Sequence, residues 1–221
     1  MTKFTNAVLV AILLLLVICG VGGTVFGVNV FSKINLLEHE NRVLNERYKE
    51  NNKELVLLQV ITSKMPNVKI ETQAQLAKTI YNLATIRKIP LHLLCGLIET
   101  ESNWDHTVTS GANAKGLMQV LPSAAYPYLR SQNLNYDKNI LYDPVVNAIV
   151  RISYLSDLQQ GHIEAERTKE DDFTMALHSY FWGTSNTLQL YGKKDGRINV
   201  PNMSYPMRVI EASKKYKAMN L

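Results

Sequence analysis

Residues 7–31 form the longest apolar stretch of the chain and contain no charged side chain. A helix that crosses a bilayer needs about 20 apolar residues. The pattern therefore predicts a transmembrane helix over 7–31, after a short tail at 1–6. A cleaved signal peptide is the alternative, but its apolar core would be about 7–15 residues long and an A-x-A site would follow. A lipoprotein signal at Cys19 is a third interpretation, and the bulky Ile18 before that cysteine argues against it.

Apolar positions then recur at alternating steps of three and four. This is the spacing of a coiled-coil seam, and Glu, Lys and Arg occupy the other faces. The seam positions are Ile34, Leu37, Asn41, Leu44, Tyr48, Asn51, Leu55 and Leu58. The pattern predicts a helical stalk over residues 32–62. It leaves two arrangements open, namely pairing with a second copy of the chain or a single helix that lies against its own domain.

Helical signals continue after a break around Pro66, which we assign to a linker over residues 63–70. Residues 71–221 are predicted to form one helical domain. The signals are the capping-box pair Thr72 and Gln75, Pro90 before LHLLCGLIETE, the cap Asp143–Pro144 with Gly161 past the end of that helix, DFTMALHSYF and YPMRVIEASKKYK. Because no run with the two-residue period of a strand exceeds a few residues, the predicted fold class is mainly α.

Composition and charge narrow the class of partner. The 24 Lys and Arg exceed the 19 Asp and Glu by five, but they are scattered along the chain, so nucleic acid is not an expected partner. Cys19 and Cys95 lie in separate apolar segments and predict no disulfide, and no His or Cys spacing indicates a metal site. Basic residues follow the first apolar run while Lys3 alone precedes it, a bias that by itself favours a cytoplasmic C-terminal part.

Two glutamates, Glu99 and Glu101, lie near the end of the helix that follows Pro90. With about 100° per residue and Leu94 set at 0°, Glu101 falls at roughly −20°, inside the apolar stripe, and Glu99 at roughly 140°. Desolvation on an apolar face raises the pKa of a carboxyl toward the range that a general acid needs. We therefore expect Glu101 to be functional and Glu99 to be a solvated charge. The alternative is that the helix ends before Glu101 and its side chain reaches solvent.

A series of motifs follows. The motifs are Glu101-Ser102, Ser110, Gly116-Leu117-Met118-Gln119 with Val120-Leu121-Pro122 behind it, Tyr180 with Gly183, and Tyr205 ahead of the last helix. In order and spacing this series resembles the SLT-type, lysozyme-like lytic transglycosylases, and the resemblance covers residues 70–221. It implies a lysozyme-like helical domain that cleaves peptidoglycan.

The resemblance also implies site residues. Glu101 would be the single catalytic acid and base. The substrate-binding residues would be Ser102, Ser110, Gln119, Tyr180 and Tyr205, with Ser102 positioning the glutamate and Tyr180 beside it in the cleft. Ser110 in a simple turn and Tyr180 in the core are the alternatives. The chain departs from the family at Phe181, where Asn is usual, and before Tyr205, where an acidic residue is common; both departures thin the hydrogen bonding around the glutamate.

The implied chemistry is cleavage of the β-1,4 bond between N-acetylmuramic acid and N-acetylglucosamine with formation of a 1,6-anhydro sugar, without cofactor or metal. The implied location is the inner membrane, with a single span and the catalytic domain in the periplasm, against the charge bias noted above. The expected partners are glycan strands, the inner membrane through residues 7–31, a second copy through the stalk, and a secretion, pilus or phage machine. A muramidase of related fold and a non-catalytic wall-binding assembly component are the alternatives.

Overall fold

The fold is built from α-helices, which confirms the predicted class. The computed structural model describes residues 23–131, 133–135, 137, 139–164, 173–191 and 204–221. The helices in these ranges are α1 (Gly23–Lys64), α2 (Ile70–Ile86), α3 (Leu91–Ser102), α4 (Pro122–Ser131), a 3₁₀ turn (Ile140–Tyr142), α5 (Pro144–Glu164), α6 (Thr174–Trp182), α7 (Thr184–Tyr191) and α8 (Ser204–Ala218). Within the same ranges β pairing is limited to isolated bridges that join Lys115 to Thr109 and to Val120.

The predicted membrane span falls mostly outside the described residues. Residues 7–22 are not among them, and the remainder of the span belongs to α1. Among the helices that the structure describes, none is both long enough and apolar enough to cross a bilayer. The transmembrane helix over 7–31 therefore stays a prediction.

The chain divides into two compact units, residues 1–51 and residues 52–221. The predicted stalk is helical throughout, because α1 covers it. The second unit, however, begins well before the predicted boundary at residue 71. Leu57 and Ile61 near the end of α1 are fully buried and belong to the hydrophobic core of this unit. The heptad pattern does not show which residues are buried by tertiary packing. The compact unit therefore starts before residue 71, the boundary that the sequence predicted.

The helix α3 runs through the centre of the second unit and follows Pro90, as predicted. Its fully buried apolar residues are Leu94, Cys95, Leu97 and Ile98. It packs closely along α8 at Gly96, where a Cβ atom would approach the backbone nitrogen of Ser213 and the backbone oxygen of Val209 to 2.7 Å. Glycine is needed at this crossing because any side chain would push the two helices apart. The close packing holds the end of α3, with Glu101, against α8.

The helix α5 begins at the predicted cap, but it ends later than the sequence predicted. The carboxylate of Asp143 accepts hydrogen bonds from the backbone N–H groups of Val145 and Val146 at 2.8 and 3.0 Å. This is the pattern of an N-cap side chain that satisfies the first free donors of a helix. Gly161 was predicted to lie past the end, but α5 continues to Glu164. A single glycine weakens a helix by about 1 kcal/mol, too little to end one.

Two further features of the helices differ from the sequence predictions. The capping-box prediction at Thr72 is wrong, because α2 begins at Ile70 with Lys69 at the N-cap position and no side-chain cap. The short helices α4 and α7 had no counterpart among the predicted segments. They are 10 and 8 residues long, so packing rather than intrinsic propensity stabilises them.

Candidate active site

Glu101 lies in the last turn of α3, partly buried, and its Oε1 atom accepts a hydrogen bond from the hydroxyl of Tyr205. Burial raises the pKa of the Glu101 carboxyl above its usual value. The hydrogen bond from Tyr205 and the positive charges of Arg151 and Arg208 act in the opposite direction without cancelling the effect of burial. The helix continues past Glu101 to Ser102, which excludes the alternative of an early helix end. The carboxyl can therefore hold a proton nearer neutral pH than an exposed glutamate can.

A stack of three aromatic rings holds Tyr205 in place. Its ring stacks on that of Tyr180, with centroids 6.2 Å apart and planes at 16°, and on that of Phe181, with centroids 4.4 Å apart and planes at 18°. The Arg151 guanidinium lies over the ring of Tyr180, 3.4 Å from the centroid. Stacked rings and a buried guanidinium leave few alternative rotamers. The hydroxyl of Tyr205 is thereby fixed toward Glu101 although the two residues are far apart in the sequence.

Two of the predicted site residues hold the loop that follows α3. The hydroxyl of Ser102 donates to the backbone oxygen of Leu117 at 2.6 Å. The hydroxyl of Tyr180 donates to the backbone oxygen of Met118 at 3.0 Å. Ser102 and Tyr180 thus attach the Gly116–Gln119 segment to the helices α3 and α6. Tyr180 is buried in the core and stacks on Tyr205, so the core alternative holds for it, and its place in a substrate cleft stays a prediction.

The fully buried Asn147 on α5 clamps the same loop, and sequence analysis did not identify it. Its side-chain nitrogen donates to the backbone oxygens of Lys115, at 2.8 Å, and Leu141, at 2.7 Å. Its side-chain oxygen accepts from the backbone N–H of Met118 at 2.8 Å. Gly116 has a φ of +76°, and a Cβ atom there would lie 2.1 Å from the Leu141 oxygen. The loop therefore requires glycine at this position and an amide at Asn147.

Ser110 and Gln119 lie in the loop itself and make local hydrogen bonds. The Ser110 hydroxyl accepts from the backbone N–H of Ala114 at 3.1 Å, which is the turn that the sequence left as the alternative. The Gln119 side-chain nitrogen donates to the backbone oxygens of Gly116 and Val108 at 3.0 and 3.3 Å. Gln119 is buried, and its backbone φ is +48°. The sugar-binding roles of Ser110 and Gln119 stay predictions.

Glu99 is paired, and the expectation of a solvated charge was wrong. Its carboxylate accepts hydrogen bonds from Lys215 and from the hydroxyl of Tyr216, both on α8, and its side chain is 20% exposed. The Tyr216 hydroxyl in turn accepts from the indole N–H of Trp104 at 2.9 Å. Burial would raise the pKa of Glu99, but these two hydrogen bonds and the charge of Lys64 outweigh it and leave the pKa below its usual value. Glu99 therefore joins α3 to α8 as a charged structural residue.

Asp105, the next carboxylate along the chain, is directed elsewhere. Its Oδ1 atom accepts from the backbone N–H and the hydroxyl of Thr107 at 2.8 and 2.7 Å. These two hydrogen bonds lower the pKa of the exposed Asp105 carboxyl. Asp105 and Thr107 line a surface cavity of about 320 Å³ together with residues 64–68, and Glu101 does not line that cavity. The carboxylates nearest to Glu101 in sequence are thus each held by other groups.

Arg151 was also missed, and the signal that could have found it lies in α5. The apolar face of that helix includes Ala148, Ile152 and Leu155, all fully buried. Asn147 and Arg151, four residues apart, are buried as well. Polar side chains that interrupt a buried helical face need specific partners. Two polar residues on one apolar helical face are a signal of the same kind as the position of Glu101 on the apolar stripe of α3, and they could have indicated a polar site.

Comparisons with known proteins identify the family of the chain. The family model "Transglycosylase SLT domain" matches residues 78–199, which is more than half of the chain. Membrane-bound lytic murein transglycosylase C of Histophilus somni is 30% identical over 121 residues, covering 53% of this chain and 33% of the relative. The same-named protein of Haemophilus influenzae is also 30% identical, covering 53% of this chain and 34% of the relative. The chain thus spans about a third of the length of these relatives.

Among solved structures, an inactive variant of the lytic transglycosylase Slt from Pseudomonas aeruginosa matches with a TM-score of 0.53 and 21% identity. The match covers 64% of this chain and 24% of that chain, and at this identity it shows the fold alone. It confirms the fold class predicted for the globular domain. On the strength of the family model, the chain belongs to the transglycosylase SLT domain family.

Proposed function

We propose that the protein is a peptidoglycan lytic transglycosylase with Glu101 as its catalytic acid and base. The observation that carries the proposal is a partly buried carboxyl with a raised pKa, aligned by Tyr205 at the end of α3. A carboxyl in this state can donate a proton near neutral pH and accept one later in the same reaction. The names of the relatives from Histophilus somni and Haemophilus influenzae support the same activity.

The reaction would proceed in two steps at one carboxyl. Glu101 first donates its proton to the glycosidic oxygen, and the bond between that oxygen and the anomeric carbon of N-acetylmuramic acid breaks. The resulting carboxylate then takes the proton from the 6-hydroxyl of the same sugar, and the 6-oxygen bonds to the anomeric carbon. The product is a 1,6-anhydro sugar, and Glu101 is protonated again. Because Tyr205 donates to Oε1, the other oxygen of Glu101 remains for the proton that is transferred.

The positions of the neighbouring carboxylates favour this route over a two-carboxylate hydrolysis. A retaining glycosidase places two carboxyl groups about 5–5.5 Å apart. Glu99 is held by Lys215 and Tyr216, and the Asp105 carboxylate by Thr107. Both carboxylates lie within the part of the chain that the structure describes, and the hydrogen bonds described for them do not reach Glu101 or Tyr205. A muramidase is therefore the second candidate only because of the shared fold.

The remaining predicted site residues divide into two proposed roles. Ser102, Tyr180 and Tyr205 position the glutamate and the Gly116–Gln119 segment, and the hydrogen bonds described above support this. Ser110 and Gln119 would contact the sugar from that loop. The Gln119 side-chain nitrogen is committed to backbone oxygens, so its side-chain oxygen would be the group that accepts a hydrogen bond from the glycan.

The proposed location is the periplasmic face of the inner membrane, with residues 7–31 as a single span. The relatives are named as membrane-bound proteins, which supports membrane association. The stalk would carry the domain toward the wall, and its exposed Leu37 and Leu44 are suited to pairing with a second copy. Local opening of the wall for a secretion, pilus or phage machine is the proposed purpose. A reporter that is active only in the periplasm, fused after Leu221, tests the orientation; activity confined to a cytoplasmic reporter would contradict both location and function.

Product analysis tests the chemistry. The full chain in detergent micelles is incubated with purified peptidoglycan, and the released fragments are treated with borohydride and analysed by mass spectrometry. A transglycosylase gives fragments that are lighter by one water than hydrolysis products and that resist reduction. Reducible fragments would identify a muramidase. No release beyond that of the Glu101→Gln variant would exclude catalysis and favour the wall-binding alternative.

A further inference from the structure

Two exposed aromatic rings at the end of α6 take no part in the proton transfers described above, although one of them, Phe181, also stacks on Tyr205. At the end of α6, Phe181 is 49% exposed and Trp182 is 39% exposed. Their rings meet edge to face, with centroids 5.2 Å apart and planes at 81°. Adjacent exposed aromatic side chains expose apolar surface to water and are typical of binding surfaces. We call Phe181 and Trp182 the aromatic pair.

The aromatic pair connects directly to the reacting group. The ring of Phe181 stacks on Tyr205 at 4.4 Å, and the Tyr205 hydroxyl donates to Glu101. Phe181 is therefore linked to the Glu101 carboxyl through a single residue, Tyr205. Since Glu101 acts only on a glycosidic oxygen within hydrogen-bond reach, the sugars on either side of that bond must lie over the residues that surround the carboxyl.

We propose that the aromatic pair is a sugar-binding subsite, on which a pyranose ring next to the scissile bond stacks. This inference rests on the proposed function and names the residues that hold the glycan. The faces of aromatic rings carry negative charge density, which attracts the slightly positive C–H groups on one face of a pyranose. Stacking also removes apolar surface from water on both partners. With Phe181 in place of the Asn usual in the family, the chain would bind the glycan here through an apolar contact.

A binding measurement on an inactive protein separates this subsite from catalysis. The full-length Glu101→Gln protein is titrated with a soluble β-1,4-linked N-acetylglucosamine oligomer, and Kd is obtained by calorimetry. The chain has two tryptophans, of which Trp104 is buried, so Trp182 should supply the fluorescence change and become protected from acrylamide. In this background Phe181→Leu and Trp182→Leu should each weaken binding about two- to tenfold. The aromatic replacement Phe181→Tyr should restore most of the affinity.

Tyr126 provides the matched control because it is an aromatic residue, 60% exposed, and lies on α4 rather than on α6. Tyr126→Leu should leave Kd unchanged. The subsite is refuted if both leucine variants of the aromatic pair bind like their parent, or if the Glu101→Gln protein does not bind the oligomer. If Phe181→Leu unfolds, Trp182→Leu carries the test. If the leucine variants weaken binding but the protein with Glu101 intact releases no product from peptidoglycan, the subsite is supported and the proposed catalysis is refuted.

Discussion

Glutamine substitutions at Glu101 and Glu99 should have opposite effects on activity and on stability. In Glu101→Gln the amide oxygen can still accept the hydrogen bond from Tyr205, so the geometry is kept. The amide can neither donate nor receive the catalytic proton. General acid–base catalysis contributes about 10²–10⁴-fold, which corresponds to about 3–5 kcal/mol of barrier. Because the same group serves both steps, we expect wall lysis to fall by the upper end of that range.

Glu99→Gln should preserve lysis and reduce stability. Lys215 donates to one oxygen of Glu99 and Tyr216 to the other, and the Tyr216 hydroxyl already accepts from Trp104. The glutamine amide has one oxygen that accepts and one NH₂ that donates. Either Lys215 or Tyr216 would therefore lose its acceptor and face the NH₂ group instead. Such a loss at a charged acceptor costs about 1.5–3 kcal/mol, and the 46% exposure of the Lys215 side chain reduces this to about 1–2 kcal/mol. The melting temperature should fall by about 3–6 °C.

The pH dependence of the two stability effects has opposite signs. The folded-state pKa of Glu99 is lowered, so its contribution is present above the unfolded value of about 4.3 and is lost as the pH falls through the folded value. The folded-state pKa of Glu101 is raised, so ionisation of the buried carboxyl costs stability as the pH rises. Glu101→Gln should therefore equal or exceed the parent in stability at pH 7. Both variants should approach the parent in acid.

Turbidity of purified walls measures lysis, and thermal unfolding at pH 7 and at a series of pH values below about 4 measures stability. The expected pattern is an inactive, stable Glu101→Gln protein and an active, less stable Glu99→Gln protein. Normal lysis by Glu101→Gln would refute the assignment of the acid. An inactive Glu99→Gln protein with an unchanged melting temperature would show that Glu99, and not Glu101, is the catalytic glutamate.

The other predictions concern Tyr205, Asn147 and the stalk. Tyr205→Phe removes a hydrogen bond that lowers the pKa of Glu101, so the alkaline limb of kcat/KM against pH should move to higher pH; a shift to lower pH would contradict this role. Asn147→Leu leaves the Met118 N–H and the Leu141 oxygen without their partner, at about 1–3 kcal/mol each, whereas the Lys115 oxygen keeps the N–H of Val120; urea unfolding should show a loss of about 2–6 kcal/mol, with a loss below about 1 kcal/mol counting against the clamp. If the stalk pairs, Leu44→Cys should crosslink more than Glu46→Cys, and equal yields would argue against the seam.

The sequence alone determined what depends on local periodicity. The 3.6-residue repeat placed Glu101 on the apolar stripe of α3, and the structure confirms that burial raises its pKa. The cap at Asp143 and the helical character of the stalk are likewise short-range properties, since they depend on neighbours within one or two helical turns. The order of the motifs was enough to identify the family.

Only the tertiary structure decided which distant groups meet. The partners of Glu99 lie more than 110 residues along the chain, so no local pattern could show that this carboxylate is paired. Tyr205 reaches Glu101 across 104 residues, and Asn147 joins the loop after α3 to α5. The partly exposed position of Phe181 also follows from the packing of α6 near α8. Helical periodicity gives the face on which a side chain lies, whereas the partner on that face depends on how separate helices pack.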